Sequence, residues 1–203
     1  MAKAMKPPKP VEAGPAVVVD AWKKVVDVQM HFNDIEMRIR NFALSVVLAS
    51  FAAFGFLLNH TINVSAGQLV VNLFVLVPIA GAIAVYLFFF MDYYWYHRLL
   101  VGAVKHGLAI EAEYAQQLPF LSITKSIGKE SPVKPTGPLY FLSKLLIRDQ
   151  RYRNEGFLHS DSKIKLFYYT IILCLIVLSV ASAVGGGVQI SGRQIWQIVT
   201  CWF

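Results

Sequence analysis

Three uncharged apolar runs stand out against an otherwise mixed chain. The first, residues 42–58, reads FALSVVLASFAAFGFLL. As a helix rising 1.5 Å per residue it reaches about 25 Å, near the roughly 30 Å of a bilayer's hydrocarbon core once Asn41 and Asn59 are added. The second, residues 69–91, carries Asn72 as its lone amide, with Pro78 and Gly81 near its middle. A kink there is tolerable if neighbouring helices satisfy the freed carbonyl. The third, LFYYTIILCLIVLSVASAV over 166–184, ends in Ser179, Ala181, Ser182 and Ala183, followed by glycines 185–187. Small residues of this kind let helices approach closely. Three such runs in 203 residues are too many for buried helices of a soluble core. The pattern predicts an all-α integral membrane protein with three transmembrane helices at 42–58, 69–91 and 166–185.

The flanking segments are helical and amphipathic. Over 17–41, Ala21, Val25, Val28, Phe32, Ile35 and Ile39 recur at spacings of four and three, a heptad-like stripe. Lys24, Asp27, His31, Asp34 and Arg38 run along the other side, and Asp34/Arg38 and Glu36/Arg40 are acid–base pairs four apart. The stripe needs a partner, either the protein's own second polar helix or a neighbouring subunit, so Val25, Val28, Phe32, Ile35 and Ile39 form a candidate oligomer interface. The second span continues as helix from His97 to about Leu118, where Pro119 ends it. A Pro/Gly/Ser/Lys-rich loop occupies 119–138. Residues 139–153, LYFLSKLLIRDQRYR, place Leu139, Leu142, Leu145 and Leu146 opposite Lys144, Arg148 and Arg151. Such a basic amphipathic helix suits an anionic leaflet or a protein partner, so Lys144, Arg148, Arg151 and Arg153 are the candidate contacts.

Charge sets the orientation. Seven of the 19 Lys and Arg residues precede the first span and eleven lie within 92–165, whereas 59–68 has none and the tail only Arg193. The positive-inside rule puts the N-terminus and 92–165 in the cytoplasm and the 59–68 turn and the C-terminus outside, in the inner membrane. Tyr93, Tyr94, Trp95 and Tyr96, with Tyr168 and Tyr169, form aromatic belts at the inner boundary. The net charge of +7 is therefore read as topology, and nucleic acid is the least expected partner. An apolar content of 56% and a mean hydropathy of +0.53 agree with the spans. Residues 1–16, rich in Lys, Pro and Ala, read as a disordered tail with no cleavable signal. Residues 186–203, ending in Trp196, Trp202 and Phe203, read as an outer interfacial tail. Asn63-Val64-Ser65 matches a glycosylation sequon. Cys174 and Cys201 give neither a disulfide framework nor a zinc spacing, and Cys174 reads as packing.

No catalytic signature appears. His97 and His106 are nine apart, and His106 to Glu111 misses the helical spacing for a metal pair. Gly128-Lys129 lacks the glycine pattern of a phosphate loop. No cofactor is implied, and His31, His60, His97, His106 and His159 read as surface or interface residues. The runs hold no ionisable group, which argues against a proton-coupled transporter or ion pump. Asn72, Pro78, Gly81, Ser179 and Ser182 are the candidate pore or helix-packing positions.

The segments VVDVQMHFNDIEMRIRNFA (25–43), the hairpin 42–91 and DYYWYHRLLVGAVKHGLAIE (92–111) together resemble small membrane effectors of bacterial antiphage systems, the SLATT-type two-span proteins and retron-associated effectors. The likeness is one of layout over about half the chain, and the third span and tail depart from it. It implies a protein that is quiet until triggered, then oligomerises and breaches the inner membrane; it assigns no site residues. Two other readings stand beside this one: a non-catalytic scaffold that docks a cytoplasmic partner through 122–153, and a lipid-modifying enzyme built on His97, His106, Glu111 and Glu113.

Overall fold

The structure, a computed structural model, describes residues 14–60, 62–67 and 69–190. Helix α1 runs from Pro15 to Leu58, 44 residues without a break, about 66 Å at helical rise. Pro15 sits in the first turn, where its missing N–H costs nothing. No further proline and no glycine before Gly55 interrupts the passage from amphipathic stripe to apolar run. The second apolar run divides differently from the sequence expectation. Strand β1 (Asn63–Ala66) pairs antiparallel with β2 (Leu69–Asn72), and β3 (Val188–Ile190) adds to β2. Gly67, at φ 64°, begins the tight turn between the first two. Residues 69–72 are therefore strand, and the helix that follows, α2 (Leu73–Phe89), starts at Leu73. Short β-branched runs look alike in strand and helix by periodicity. Here the segment beyond the third span returns to complete the sheet, so Val188–Ile190, within the expected outer tail, is a paired strand. Arg193, Trp196, Trp202 and Phe203 lie outside the described residues, as does most of the N-terminal tail.

Helix α2 passes into a π-helical segment, Phe90–Tyr96, and on into α3, His97–Glu113. The three form one rod of 41 residues. The 119–138 stretch holds a helix, α4 (Ile123–Glu130), where sequence composition indicated only a loop. The expected single helix over 139–153 is two, α5 (Pro138–Leu146) and α6 (Gln150–Glu155). They separate because Ile147 is extended and Asp149 caps α6, accepting a hydrogen bond from Arg151 N at 3.1 Å. Helix α7 (Ser160–Ser182) is the third long helix.

Helices α1, α2–α3 and α7 are each long and apolar enough to cross a membrane. Ala43, Val47, Ala82, Val85, Phe89, Tyr168 and Leu175 fill the space between them. Their outer faces expose Phe42, Leu48, Phe51, Ile83, Leu87, Val177 and Val180. In water that belt would be an aggregation surface; on spans it is what lipid covers. The chain is an all-α membrane protein with a small sheet at one end of the spans and a helical lobe at the other, the basic end. Two satellite cores build the lobe. Ile147, Tyr152 and Leu158 seat α5 and α6 on Leu166 at the start of the third span. Val18, Leu118 and Leu121, with Trp22, close its far tip.

Candidate functional site

Where the apolar spans meet the basic end, five ionisable side chains and one tyrosine converge from three helices. On α1, Glu36 and Arg40 lie one turn apart and are joined by Arg40 Nη2 donating to Glu36 Oε2 at 2.8 Å. Arg40 also forks onto Asp92, with Nε at 2.8 Å from Oδ2 and Nη2 at 3.3 Å from Oδ1. His97 bridges Glu36 Oε1, 3.2 Å from Nδ1, and Asp161 Oδ1, 2.7 Å from Nε2. Tyr168 donates its hydroxyl to Asp92 Oδ2 at 3.1 Å. Glu36, Asp92 and His97 are 2%, 0% and 5% exposed; burial of this kind is tolerated only because every charge is paired.

The π turn makes this possible. Asp92 and His97 are five residues apart, which an α-helix sends to different faces. The His97 N–H reaches back to the Asp92 carbonyl, the i→i+5 bond of a π turn, and this brings both side chains to the same side. They then meet Arg40 and Glu36, an ordinary four-residue pair on α1. Asp161 and Tyr168, two turns apart on α7, complete the ladder from the third helix. His97 lies beyond the spans. Burial alone would lower its pKa, but the hydrogen bonds and charges of Asp161 and Glu36 outweigh that and raise it to about 9, so it is an imidazolium at neutral pH. Its hydrogen bond in turn holds Asp161 below the usual carboxylate range. A cleft of about 440 Å³, lined in part by Asn33, Glu36, Arg40 and His97, lies beside the ladder. Within the ladder each charge is committed to another, while Ser160 and Lys163 on the cleft wall bond Ser131. The ladder joins α1, the α2–α3 rod and α7 side chain to side chain.

A second buried acid anchors the lobe. Glu111, 4% exposed, accepts from Thr124 N at 2.8 Å, Lys125 N at 3.0 Å and the Trp22 indole at 3.2 Å. Burial opposes its ionisation, yet the Lys125 and Thr124 backbone amides and the Trp22 indole outweigh it, and its pKa is lowered. It caps α4 and ties that helix to α1 and α3. Among the described residues no group of three or more His, Cys, Asp and Glu is arranged to hold a metal ion.

The other sequence-chosen positions scatter. Of the α1 stripe, Ile39 is buried, Val25, Phe32 and Ile35 are half-buried and Val28 is exposed. The stripe lies against the chain's own α3: Gln29 donates to the Ala103 carbonyl at 3.2 Å, and a Cβ on Gly107 would meet Gln29 and Val25. Asn72 is buried where β2 meets α2. It caps α2, accepting from Phe74 N at 3.3 Å. Pro78 and Gly81 are buried within α2, and a Cβ on Gly81 would stand 2.5 Å from Ser50 Oγ. Ser179 donates across to the Val75 carbonyl at 2.9 Å, while Ser182 bonds Leu178 within its own helix. Pro78, Gly81 and Ser179 thus pack one chain's helices together. Arg151 pairs with Glu155; Lys144 leans toward the Tyr140 ring; Arg148 and Arg153 are exposed. His106 and Glu113 are exposed and apart from the ladder. Cys174 is exposed, contrary to a packing role.

The sequence does not single out Asp92, Asp161 or Tyr168 for this cluster, and His97, read there as a surface or interface residue, is buried between helices. The available signals were the Glu36/Arg40 pair just before one span and an acid directly after another. In comparisons with protein-family models, with curated proteins and with solved structures, this chain matches none significantly.

Proposed function

We propose that the protein is a non-catalytic effector of the bacterial inner membrane, in which a cytoplasmic helical lobe controls the packing of three spans. Its trigger reaches the lobe, and its oligomers then perturb or permeabilise the bilayer, with antiphage defence as the setting that the architectural resemblance implies. One observation carries this reading. Helix α1 and the α2–α3 rod pass unbroken from spans to lobe and are cross-linked at the boundary by the buried charge ladder. A displacement of the lobe therefore has to shift the spans or break the ladder. Because the interior of one bundle is filled by Val85, Phe89 and Leu175, a leak has to form between copies. Orientation follows the distribution of Lys and Arg, with the lobe inside. The test is membrane potential and dye entry in bacteria induced to express the protein, alone and with its genomic neighbours. Depolarisation that tracks expression is the expected result; an intact potential under every trigger tried rejects the effector reading.

A specific surface favours a second reading, a scaffold that docks a cytoplasmic protein. Helix α4, which lies at the far tip of the lobe, presents Ile123 and Ile127 to solvent beside an exposed Phe120. A pull-down from the native host compares wild type with Ile127→Asp and with charge reversal at Arg148, Arg151 and Arg153. Partners retained by every variant would reject the scaffold.

A further inference from the structure

A second cleft, of about 770 Å³, opens on the other side of the ladder. Three cations from separate parts of the chain line it: Arg98 in the first turn of α3, Arg148 in the break between α5 and α6, and Lys165 near the start of α7. Tyr93, Tyr94 and Tyr169 form the remaining wall, with Lys165 Nζ 5.0 Å from the centre of the Tyr93 ring. Two carboxylates reach the same cleft, and each accepts a hydrogen bond from a group other than the three cations. Asp149 accepts from Arg151 N at 3.1 Å, and Asp161 from His97 at 2.7 Å. Among the described residues, no carboxylate lies within 4.0 Å of any of the three cations. Asp161 attracts Arg98 and Lys165, and Asp149 attracts Lys165, only from beyond ion-pair distance. Three cations thus face two carboxylates that each bond another group, and an anion would complete the set. Arg148 joins it from the break after α5.

The depth of the cleft selects the anion. Tyr93 and Tyr94 directly follow Asp92 at the end of the second span, and Tyr169 lies just inside the third, the level at which tyrosines meet lipid headgroups. Tyr94 packs on Phe90 with ring centres 5.6 Å apart, and Phe90 and Tyr86 are exposed on the outer face of the rod. The polar cleft therefore continues directly into apolar, lipid-facing surface. On the same side of the boundary, α5 exposes Phe141 and Leu145, as an interfacial helix does. We infer that the cleft binds the headgroup phosphate of an anionic glycerophospholipid of the leaflet at the basic end, with Arg98, Arg148 and Lys165 as its ligands. This assignment is independent of whether the spans ever leak.

The test uses the full chain in an uncharged detergent, titrated with short-chain phosphatidylglycerol, phosphatidylcholine or water-soluble glycerol phosphate, with bound lipid counted by native mass spectrometry. One phosphatidylglycerol per chain, held at least about tenfold more tightly than phosphatidylcholine, is expected, since each cation near the surface contributes a severalfold preference. Arg98→Gln with Lys165→Gln should remove that preference, whereas Lys144→Gln with Arg151→Gln should keep it. If the double variant does not stay folded by circular dichroism, Arg98→Gln alone, at an exposed position, should still weaken binding severalfold. Equal retention of both lipids, or equal loss in the control variant, overturns the site. Displacement of the lipid by an equal concentration of glycerol phosphate overturns the lipid assignment in favour of a soluble phosphate.

Discussion

Replacing Asp92 with Asn isolates the lock between the helices. The change keeps size and one acceptor oxygen but removes the charge that holds Arg40 through two hydrogen bonds and receives the Tyr168 hydroxyl. Breaking a buried pair from one side costs about 3–5 kcal/mol, because the remaining charge is stranded. Arg40 is not wholly stranded. It keeps Glu36 at 2.8 Å, and its side chain is 22% exposed, so the lower figure, about 3 kcal/mol, applies. For a chain of this size that corresponds to a fall in Tm of roughly 6–12 °C. The measurement is thermal unfolding of the full-length protein in one fixed detergent, for Asp92→Asn, Arg40→Gln and the double variant. Because the two residues share bonds, the double variant should be less damaged than the sum by about 1 kcal/mol or more. Strict additivity, or a shift for Asp92→Asn of under about 0.5 kcal/mol, would show that the pair does not lock α1 to the rod.

The remaining expectations concern three other positions. The folded-state pKa of His97, about 9, exceeds its ordinary value of about 6.5. Its contribution is therefore complete below about pH 6.5 and is lost as the pH rises to about 9. Tm measured across that window should fall with pH, and His97→Gln should flatten the slope. Glu111→Gln should loosen the lobe tip by about 1–2 kcal/mol, as charge-assisted bonds to two amides weaken. Hydrogen exchange over 114–131 should quicken while the spans stay protected. Since the Glu111 pKa is lowered by folding, that contribution holds above the ordinary carboxylate range and disappears as the pH falls through the lowered value. Gly81→Ala would set a Cβ 2.5 Å from Ser50 Oγ and 3.1 Å from Ser50 Cβ, costing about 1–3 kcal/mol. Ser50→Gly should rescue it, and failure of the rescue in a thermal melt would refute the close approach of α1 and α2.

The three spans were legible because hydrophobic burial in lipid is a property of composition over a window: some 17 or more uncharged residues have few other stable fates. The α1 stripe was equally plain, since a period near 3.6 needs only local sequence. Its partner was not, and the structure gives the chain's own α3, where Gly107 admits Val25 and Gln29. Residues 69–72 were misread as helix because their strand state depends on pairing with 63–66 and with 188–190, the latter more than a hundred residues away. The ladder was the least visible feature. Glu36 and Arg40 announce themselves by their spacing of four. Asp92 and His97 are five apart, and only a π turn, held among three packed helices, points both at α1. Local periodicity thus determined which segments enter the membrane. The choice of which charges meet at its boundary belonged to tertiary structure, because long-range contacts alone can stabilise a buried ion network and the irregular turn that assembles it.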